Sequence, residues 1–327
     1  MRVALDTSPL VQTRAGTARY LNGLLRELER CDDLEVRRLQ FGAAGRAAAF
    51  ARDTLWYPIG LPRRARGADV LHCPTYRGPV RSSVPVVVTV HDLAVFRHPH
   101  AFNRWSRLYG PRAIPRVLRA ARRVIAVSEF TRRELVELLT IPEERIRVIP
   151  NAVDDAFSAE GPAAAGDYVL AVGTLEPRKN LGRLVEAARR VGVELRVVGA
   201  HGWGGVDVDG DGVRWLGWVP DEELARLYRG ACCVAYTSIY EGFGIPVLEA
   251  MACGAPVVTS RGGATEEVAD GAAVLVDPLD AVEIAAGIER AVADRDTLAR
   301  RGLERARPFT WAAVADATVA VYREASD

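Results

Sequence analysis

Lysine, long apolar runs and paired cysteines are all scarce in this sequence. Lysine occurs once, as Lys179, among 43 lysine and arginine residues. No apolar run reaches the roughly 18 residues of a membrane-spanning helix. The five cysteines show neither even pairing nor metal-ligand spacing, which favours reduced thiols. These absences predict a cytoplasmic protein whose only option at a membrane is peripheral contact with the inner face.

Several nucleotide-binding and hydrolase motifs are also missing. Neither half of the chain carries G-x-G-x-x-G after its first strand, which weighs against a dinucleotide-dependent dehydrogenase. There is no P-loop and no G-x-S-x-G nucleophile motif. The 43 basic and 42 acidic residues nearly cancel, so no overall basic field favours nucleic acid as a partner.

One Asp-rich stretch imitates a metal site. Asp207, Asp209, Asp211 and Gly212 match the start of a calcium-binding loop, but the twelfth position is Trp218 rather than Glu. The stretch also contains Asp-x-Asp, a pattern that elsewhere holds a metal on a nucleotide diphosphate, yet no second feature accompanies it. We interpret the stretch as a turn and predict no metal site.

Short β-branched runs alternate with longer segments of helical period along the whole chain. At about 150 residues per domain, 327 residues make about two domains. Six runs precede a central break and six follow it, which predicts two similar α/β halves with parallel, doubly wound sheets. The predicted strands are Val3–Leu5, Glu35–Leu39, Asp69–His72, Val86–His91, Val124–Val127, Arg147–Ile149, Tyr168–Val172, Leu195–Val198, Val213–Leu216, Cys233–Tyr236, Pro256–Thr259 and Ala273–Val276.

The central break predicts the domain boundary. Asn151–Gly166 has no periodicity and is rich in small and acidic residues, as linkers are. We therefore predict one domain over residues 1–152 and another over 153–311. A last helix, Trp311–Ala325, follows the second set of strands. We expect this tail, over about 312–327, to cross back onto the first domain.

Parallel sheets bind ligands at the carboxyl ends of their strands, so the loops there should carry the chemistry. The loop after the fourth strand of the second half contains Glu241, followed by Gly242 and Gly244, which let a ligand approach the backbone. Glu249 follows near a helix start. A phosphate suits that helix start, and a carboxylate would accept hydrogen bonds from sugar hydroxyls. The alternative is that both glutamates only complement the helix dipole, which is worth about 0.3–1 kcal/mol each.

Two adjacent cations, Arg178 and Lys179, follow the first strand of the second half and precede a helix. An ammonium is a compact charge that suits phosphate, and a guanidinium is a planar fork, so the pair would neutralise a diphosphate. The alternative is a solvated surface pair. The chain's one lysine lies at a strand-to-helix junction, which favours diphosphate binding over a solvated surface pair.

The first half offers two weaker loop candidates. Gly16 lies between the first strand and its helix, where its backbone N–H is able to face a ligand. His91 ends the fourth strand and is the best placed of the five histidines. A structural histidine bonded to a backbone carbonyl explains the same spacing equally well.

Residues 93–128 contain eight arginines and no acidic residue. We expect Arg116, Arg119 and Arg123 to share one helical face. Such a face would hold an anionic acceptor or touch an acidic membrane surface. The alternative is a solvated basic face.

Motifs along nearly the whole chain resemble one known family. EGFGIPVLEAMACGAPVV, with Glu241 and Glu249 eight residues apart, is similar to the E-x7-E signature of retaining glycosyltransferases with the GT-B fold, in the mannosyltransferase-rich family 4. VGTLEPRKN, VIAVSEFTRREL, VIPNAVD, GWVPDEELARLY and a closing FTW resemble the same family in the same order. The resemblance implies two Rossmann-like domains facing a central cleft. It also implies an acceptor on the first domain, a nucleotide sugar on the second, and no required metal.

The resemblance also implies roles for individual residues. The catalytic positions would be His91, Arg178, Lys179 and Glu241, with the two cations on the donor diphosphate and His91 beside the donor sugar. Donor-binding positions would be Gly16, Gly173, Thr174, Trp218, Val219, Ser238, Gly242, Phe243, Gly244, Ile245 and Glu249. Within this set Glu249 would accept the ribose hydroxyls, and the backbone near Trp218 would meet the base. Ala15 and Thr174 depart from the family's usual Gly and Arg, which places more of the phosphate role on Arg178 and Lys179.

The resemblance implies a retaining transfer of a hexose from a nucleotide sugar to a saccharide, lipid-linked or small-molecule acceptor. Mannose from GDP-mannose is the leading prediction, and UDP- and dTDP-sugars stay open. Retention without an obvious nucleophile suits a front-face route, in which the leaving phosphate helps to deprotonate the acceptor. The alternatives are a GT-B sugar-nucleotide epimerase or phosphorylase, or a non-catalytic protein that binds a sugar nucleotide.

Overall fold

The chain divides into two units, each built on its own parallel sheet. The structure is a computed structural model that describes residues 1–12, 16–43, 45–102, 104–202 and 212–327. The first unit comprises Met1–Ala152 together with Thr310–Asp327, and the second unit comprises Val153–Phe309. The Asp-rich stretch at Asp207, Asp209 and Asp211 lies outside the described residues.

The first unit is built on a six-stranded parallel sheet. Its strands are β1 (Arg2–Asp6), β2 (Glu35–Leu39), β3 (Val70–Cys73), β4 (Val86–Val90), β5 (Arg123–Ala126) and β6 (Ile146–Val148). They lie in the order β2-β1-β3-β4-β5-β6, and every neighbouring pair is parallel. The direction of the winding reverses between β1 and β3.

The second unit repeats this plan with its own six-stranded parallel sheet. Its strands are β7 (Tyr168–Val172), β8 (Glu194–Val198), β9 (Val213–Gly217), β10 (Cys233–Tyr236), β11 (Val257–Ser260) and β12 (Val274–Val276). Their order is β12-β11-β10-β7-β8-β9, so the winding reverses between β7 and β10. This is the order of a dinucleotide-binding Rossmann sheet.

Helices connect the strands in both units. They are α1 (Pro9–Gln12), α2 (Gly16–Leu28), α3 (Arg46–Ala51), α4 (Leu61–Arg64), α5 (Ala94–Arg97), α6 (Arg104–Ala120), α7 (Glu129–Leu139), α8 (Leu181–Val191), α9 (Asp221–Gly230), α10 (Ile245–Ala252), α11 (Ala264–Ala269), α12 (Ala281–Ala293), α13 (Arg295–Ala306) and α14 (Trp311–Ser326). A π-helical segment, Arg52–Gly60, joins α3 to α4. Single 3₁₀ turns cover Pro99–Ala101, Glu143–Arg145 and Pro177–Lys179.

The α/β, doubly wound fold predicted from the sequence is confirmed. Each predicted strand is present, and each observed end lies within one residue of the prediction. The central strands read as continuous apolar runs because they are covered on both faces. All five residues of β4 and all four of β10 are buried, whereas the edge strand β2 exposes most of its side chains.

The last helix, α14, packs within the first unit against α2. The close approach depends on Gly23, because a Cβ there would lie 2.2 Å from Cε2 of the buried Trp311. Thr310 caps α14 by accepting a hydrogen bond from the Ala313 N–H at 3.3 Å. The first unit is therefore assembled from both ends of the described chain.

Candidate active site

The loops after β7 and β10 meet where the winding of the second sheet reverses. Such reversal points leave a crevice at the carboxyl ends of the strands, which is where ligands bind in these sheets. The Asn180 amide donates to the Thr237 carbonyl at 3.0 Å, and the Ile239 N–H donates to the Arg178 carbonyl at 2.9 Å. Two loops that are distant in sequence are thereby held together.

Four charged side chains form an ion cluster between these loops: Glu176, Arg178, Lys179 and Glu241. Glu241 bridges both cations, since its Oε1 lies 2.7 Å from Lys179 Nζ and its Oε2 lies 2.9 Å from Arg178 Nη1. Glu176 pairs with the other arm of Arg178 at 2.7 Å. Each of the four side chains is at most 15% exposed. The cluster thus brings two basic and two acidic side chains together in a largely buried position.

Lys179 is held by two partners and keeps one donor available. Its ammonium donates to the Tyr236 hydroxyl at 2.6 Å and to Glu241 at 2.7 Å. An ammonium has three N–H groups, and the third has no partner among the described residues. Its stem packs against Gly173, where a Cβ would lie 3.2 Å from Lys179 Cδ and Cε. This packing fixes the position of the charge.

Glu241 and Lys179 hold each other in the charged form. Burial by itself raises the pKa of Glu241, but the charges of Lys179 and Arg178 outweigh burial and lower that pKa to about 2. Burial likewise lowers the pKa of Lys179, and the charge of Glu241 outweighs it and raises that pKa above its ordinary value. Glu241 and Lys179 therefore both stay ionised at neutral pH.

Glycines let the surrounding backbone segments touch. A Cβ at Gly199, after β8, would lie 1.9 Å from the Gly173 carbonyl oxygen after β7, so the two loops pack backbone to backbone. Gly244 immediately precedes α10 with a φ of 108°, and a Cβ there would lie 2.9 Å from Thr265. Sequence analysis identified Gly173 and Gly244 but missed Gly199, whose role depends on strand order.

Six of the eleven predicted donor-binding residues lie in the loop between β10 and α10 or in the first two turns of α10. Phe243 is buried, and its ring lies 6.3 Å from that of Phe309. Glu249 lies in the second turn and is only 2% exposed, and its Oε2 accepts a hydrogen bond from the Tyr228 hydroxyl at 3.0 Å. Gly242 and Ser238 are also buried, whereas Ile245 is partly exposed.

The other donor-binding candidates of the second unit lie on the loops after β7 and β9. Thr174 follows Gly173 and is half-buried. Trp218 and Val219 follow β9, and Trp218 is 62% exposed. Because β8 separates β9 from β7, Trp218 lies about two strand spacings, roughly 10 Å, along the edge from the ion cluster.

In the first unit, His91 follows β4 and is held by a backbone carbonyl. Its Nε2 donates to the Pro74 carbonyl at 2.9 Å, and the Tyr20 ring lies edge-on to it at 4.8 Å. Burial lowers the pKa of His91, against the opposing effects of Pro74 and Asp92. This hydrogen bond to a backbone carbonyl is the contact expected if His91 has only a structural role. Nδ1 makes no hydrogen bond with the residues that the structure describes.

A chain of buried hydrogen bonds lies behind His91. The Tyr20 hydroxyl lies 3.1 Å from Thr89 Oγ1, which lies 2.9 Å from His72 Nε2. His72 Nδ1 in turn lies 2.7 Å from the Tyr322 hydroxyl on α14. Burial lowers the pKa of His72 to about 3, so its ring is neutral. Sequence analysis missed this chain, which connects α14 to the residues around His91.

The predicted arginine face is wrong in one respect. Arg123 begins β5 and does not lie on α6, which ends at Ala120 before the buried Ala121. It pairs with Glu324 at 3.1 Å. Arg116 is exposed, and Arg119 donates to the Leu139 carbonyl at 3.1 Å. The three arginines therefore share no helical face. Gly16 is the exposed first residue of α2.

A buried carboxyl that sequence analysis missed ends β1. Asp6 is fully buried and accepts hydrogen bonds from the backbone N–H and the hydroxyl of Ser8. Burial raises its pKa to about 6, although Ser8, Trp56 and Tyr57 oppose the shift. Because the native carboxyl binds its proton more tightly than the unfolded one, the contribution of Asp6 to stability falls as pH rises from about 4 to 6.

We expect Asp6→Asn to stabilise the protein above pH 6. A shift of about two pKa units corresponds to about 3 kcal/mol, and Asn retains the acceptor for Ser8. The gain should shrink to nothing below about pH 4, where the wild-type carboxyl is protonated in both states. Thermal unfolding from pH 4 to 8 measures it, with the exposed Asp32→Asn as control. A gain that does not vary with pH would contradict the prediction.

Matches to family models and to known proteins identify the class of this protein. Residues 16–157 match the family described as Glycosyltransferase Family 4, and residues 166–294 match the family described as Glycosyl transferases group 1. The chain is 30% identical to the O-antigen chain mannosyltransferase B of Escherichia coli, over 99% of this chain and 100% of that protein. It is 32% identical to a D-inositol 3-phosphate glycosyltransferase of Kribbella flavida, over 76% of this chain and 67% of that protein.

Solved structures share the fold over the full length. Sucrose-phosphate synthase of Thermosynechococcus elongatus superposes with a TM-score of 0.78 at 21% identity, covering 99% of this chain and 98% of that chain. HepE of Anabaena, in complex with UDP and glucose, gives a TM-score of 0.74 at 19% identity and 98% coverage of both chains. The fold and these matches define a glycosyltransferase that uses a nucleotide sugar.

Within that class, the chain belongs to the group 1 glycosyltransferases of family 4. The predicted family, the GT-B fold class and the transferase activity are thereby confirmed. No helix in the described part of the chain combines the length and apolar character needed to cross a bilayer.

Proposed function

We propose that the protein transfers mannose from GDP-mannose to a saccharide, lipid-linked or small-molecule acceptor with retention of configuration. The ion cluster of Glu176, Arg178, Lys179 and Glu241, at the point where the second sheet reverses, is the observation that carries the proposal. Mannose is supported by the name of the Escherichia coli relative. The donor would lie on the second unit and the acceptor on the first.

The two cations would stabilise the leaving group. As the bond from sugar C1 to the diphosphate oxygen breaks, negative charge grows on that oxygen. Lys179 and Arg178 are fixed by their contacts with Glu241, so they meet this charge without reorganising. The third N–H of Lys179 and the start of α10 would both point donors at the diphosphate. Glu249 would accept hydrogen bonds from the ribose.

Glu241, on the second unit, would orient the donor sugar, and His91, on the first unit, has an acceptor atom that suits a sugar hydroxyl. Glu241 is ionised and has acceptor capacity beyond its two ion pairs, so it would accept from sugar hydroxyls. His91 has a lowered pKa and donates through Nε2, which leaves Nδ1 as an acceptor for a sugar hydroxyl. In this role the ring stays neutral.

A front-face route would give retention without a protein nucleophile. The acceptor oxygen bonds to C1 on the face from which the diphosphate departs, and the acceptor proton passes to the departing phosphate oxygen. The exposed Trp218 would offer its backbone and ring to the base of the donor.

A nucleotide screen followed by product analysis tests this function. Binding of GDP to the folded state alone, at 100 times its dissociation constant, should stabilise the protein by about 2.7 kcal/mol, more than UDP or dTDP do. NMR of the product formed from GDP-mannose should then show an α-linked mannose. An inverted anomer would exclude retention. Epimerised donor, or binding without turnover, would instead indicate an epimerase or a binding protein.

We also expect activity to be independent of added metal. If the stretch at Asp207, Asp209 and Asp211 is only a turn, initial rates with an excess of EDTA should match those without it. Complete loss in EDTA, with recovery on adding Mg²⁺ or Mn²⁺, would show that a metal carries the charge assigned to Arg178 and Lys179.

A further inference from the structure

A surface cavity of about 750 Å³ lies at the amino ends of strands β4 to β6 in the first unit. It is lined by the loop of residues 79–86, by residues 119–123 between α6 and β5, by Arg145, and by residues 325–327. His91 follows β4 at the opposite end of that strand. Five extended residues span about 16 Å, so the cavity is separate from the proposed sugar-transfer site.

The lining of this cavity is strongly basic. Its arginines are Arg81, Arg119, Arg122, Arg123 and Arg145, and we call it the arginine cavity. Asp327 contributes the one carboxylate side chain among the lining residues. The five arginines come from three separate segments of the chain, which the fold brings together.

Three of these arginines are anchored and two are free. Arg123 pairs with Glu324 at 3.1 Å, and Arg119 and Arg145 each donate to a backbone carbonyl at 3.1 Å. The side chains of Arg81 and Arg122 make no hydrogen bond or ion pair with any residue that the structure describes. The cavity therefore combines fixed positive charge with two unoccupied guanidinium forks.

We propose that the arginine cavity binds a phosphate-bearing ligand with more than one negative charge. Guanidinium forks match phosphate oxygens in pairs, and a cavity of this volume lies in the usual range of about 300–1,000 Å³ for ligand pockets. The five arginines attract such a ligand, and the side chain of Asp327 is the one lining carboxylate that repels it. The inference goes beyond the proposed sugar transfer and does not depend on it.

Titration with inorganic pyrophosphate tests the site. The variant R81Q/R122Q removes the two unpaired guanidinium groups, so it should fold normally. The control R104Q/R107Q removes the same charge from two exposed arginines of α6 outside the cavity. Because the ion cluster also suits a diphosphate, wild type and control should show two binding events by calorimetry. The variant should lose one event, or weaken it at least about tenfold.

Vesicle flotation identifies the source of the phosphate. Vesicles of phosphatidylglycerol are compared with vesicles of phosphatidylcholine for the same three proteins. Flotation with phosphatidylglycerol that R81Q/R122Q alone loses assigns the site to a lipid headgroup. Loss of pyrophosphate binding with unchanged flotation assigns it to a free phosphate. If R81Q/R122Q behaves like R104Q/R107Q with both probes, the arginine cavity is a solvated surface and the inference is wrong.

Discussion

Replacing Lys179 with Ala should lower turnover by about 10²–10³ and weaken donor binding as well. The loss of one preorganised donor to a developing anion typically costs this much in rate. An interaction that strengthens as the leaving group departs lowers kcat as well as kcat/KM when it is removed. Initial rates at varied donor concentration measure both. Arg190→Ala, which removes an exposed cation of α8, should leave both unchanged.

Lys179→Arg is the sharper comparison. It keeps the charge, but the Lys179 stem packs on Gly173 and its Nζ lies between Tyr236 and Glu241 at 2.6 and 2.7 Å. A wide guanidinium does not reproduce these contacts in that space, so we expect partial rescue. If both variants equal the wild type in turnover and nucleotide affinity, Lys179 has no part in the chemistry.

Glu241→Gln should destabilise the second unit by about 3–5 kcal/mol, because it leaves two buried cations without their shared counter-charge. The pKa of Glu241 is about 2 when folded against 4.5 for a free side chain. Its stabilising effect is therefore fully present above about pH 4.5 and is lost as pH falls towards 2. The gap between wild type and variant should be constant from pH 5 to 8 and narrow below that range.

Calorimetric unfolding across this pH range measures the effect. Glu186→Gln removes the same charge from an exposed pair with Arg190, and it should change stability by less than about 1 kcal/mol. Equal stability of Glu241→Gln and wild type at pH 7 would mean that Arg178 and Lys179 do not require Glu241. Sugar transfer by the Gln variant should also fall, because its amide accepts fewer hydrogen bonds from the donor sugar.

The strands could be predicted from the sequence because each depends on a local run of apolar, β-branched residues. A continuous β-branched run such as Val86–Val90 indicates a strand buried on both faces, and no other contact is needed to interpret it. The loop positions of Lys179 and Glu241 followed from the same strands. Their direct pairing did not, because it depends on β10 lying beside β7 rather than beside β9.

The features of the site that the sequence did not predict are contacts between segments that are distant along the chain. The hydroxyl of Tyr236, the closeness of Gly199 to Gly173, and the bond from Tyr228 to Glu249 all cross between elements that local periodicity cannot place together. The error at Arg123 has a local cause. Its spacing from Arg119 suits a helix, but α6 ends at Ala120 and the apolar residues that follow form β5.

The assembly of the first unit from Met1–Ala152 and Thr310–Asp327 dictates the order in which the protein matures on the ribosome. At about 5–20 residues per second, roughly 8–30 s pass while the second unit is translated. Throughout this delay the surface of α2 that receives Trp311 is uncovered, and His72 lacks its Tyr322 partner. The nascent chain thus exposes apolar side chains of α2 to chaperones and proteases until α14 emerges. The half that begins first is completed last.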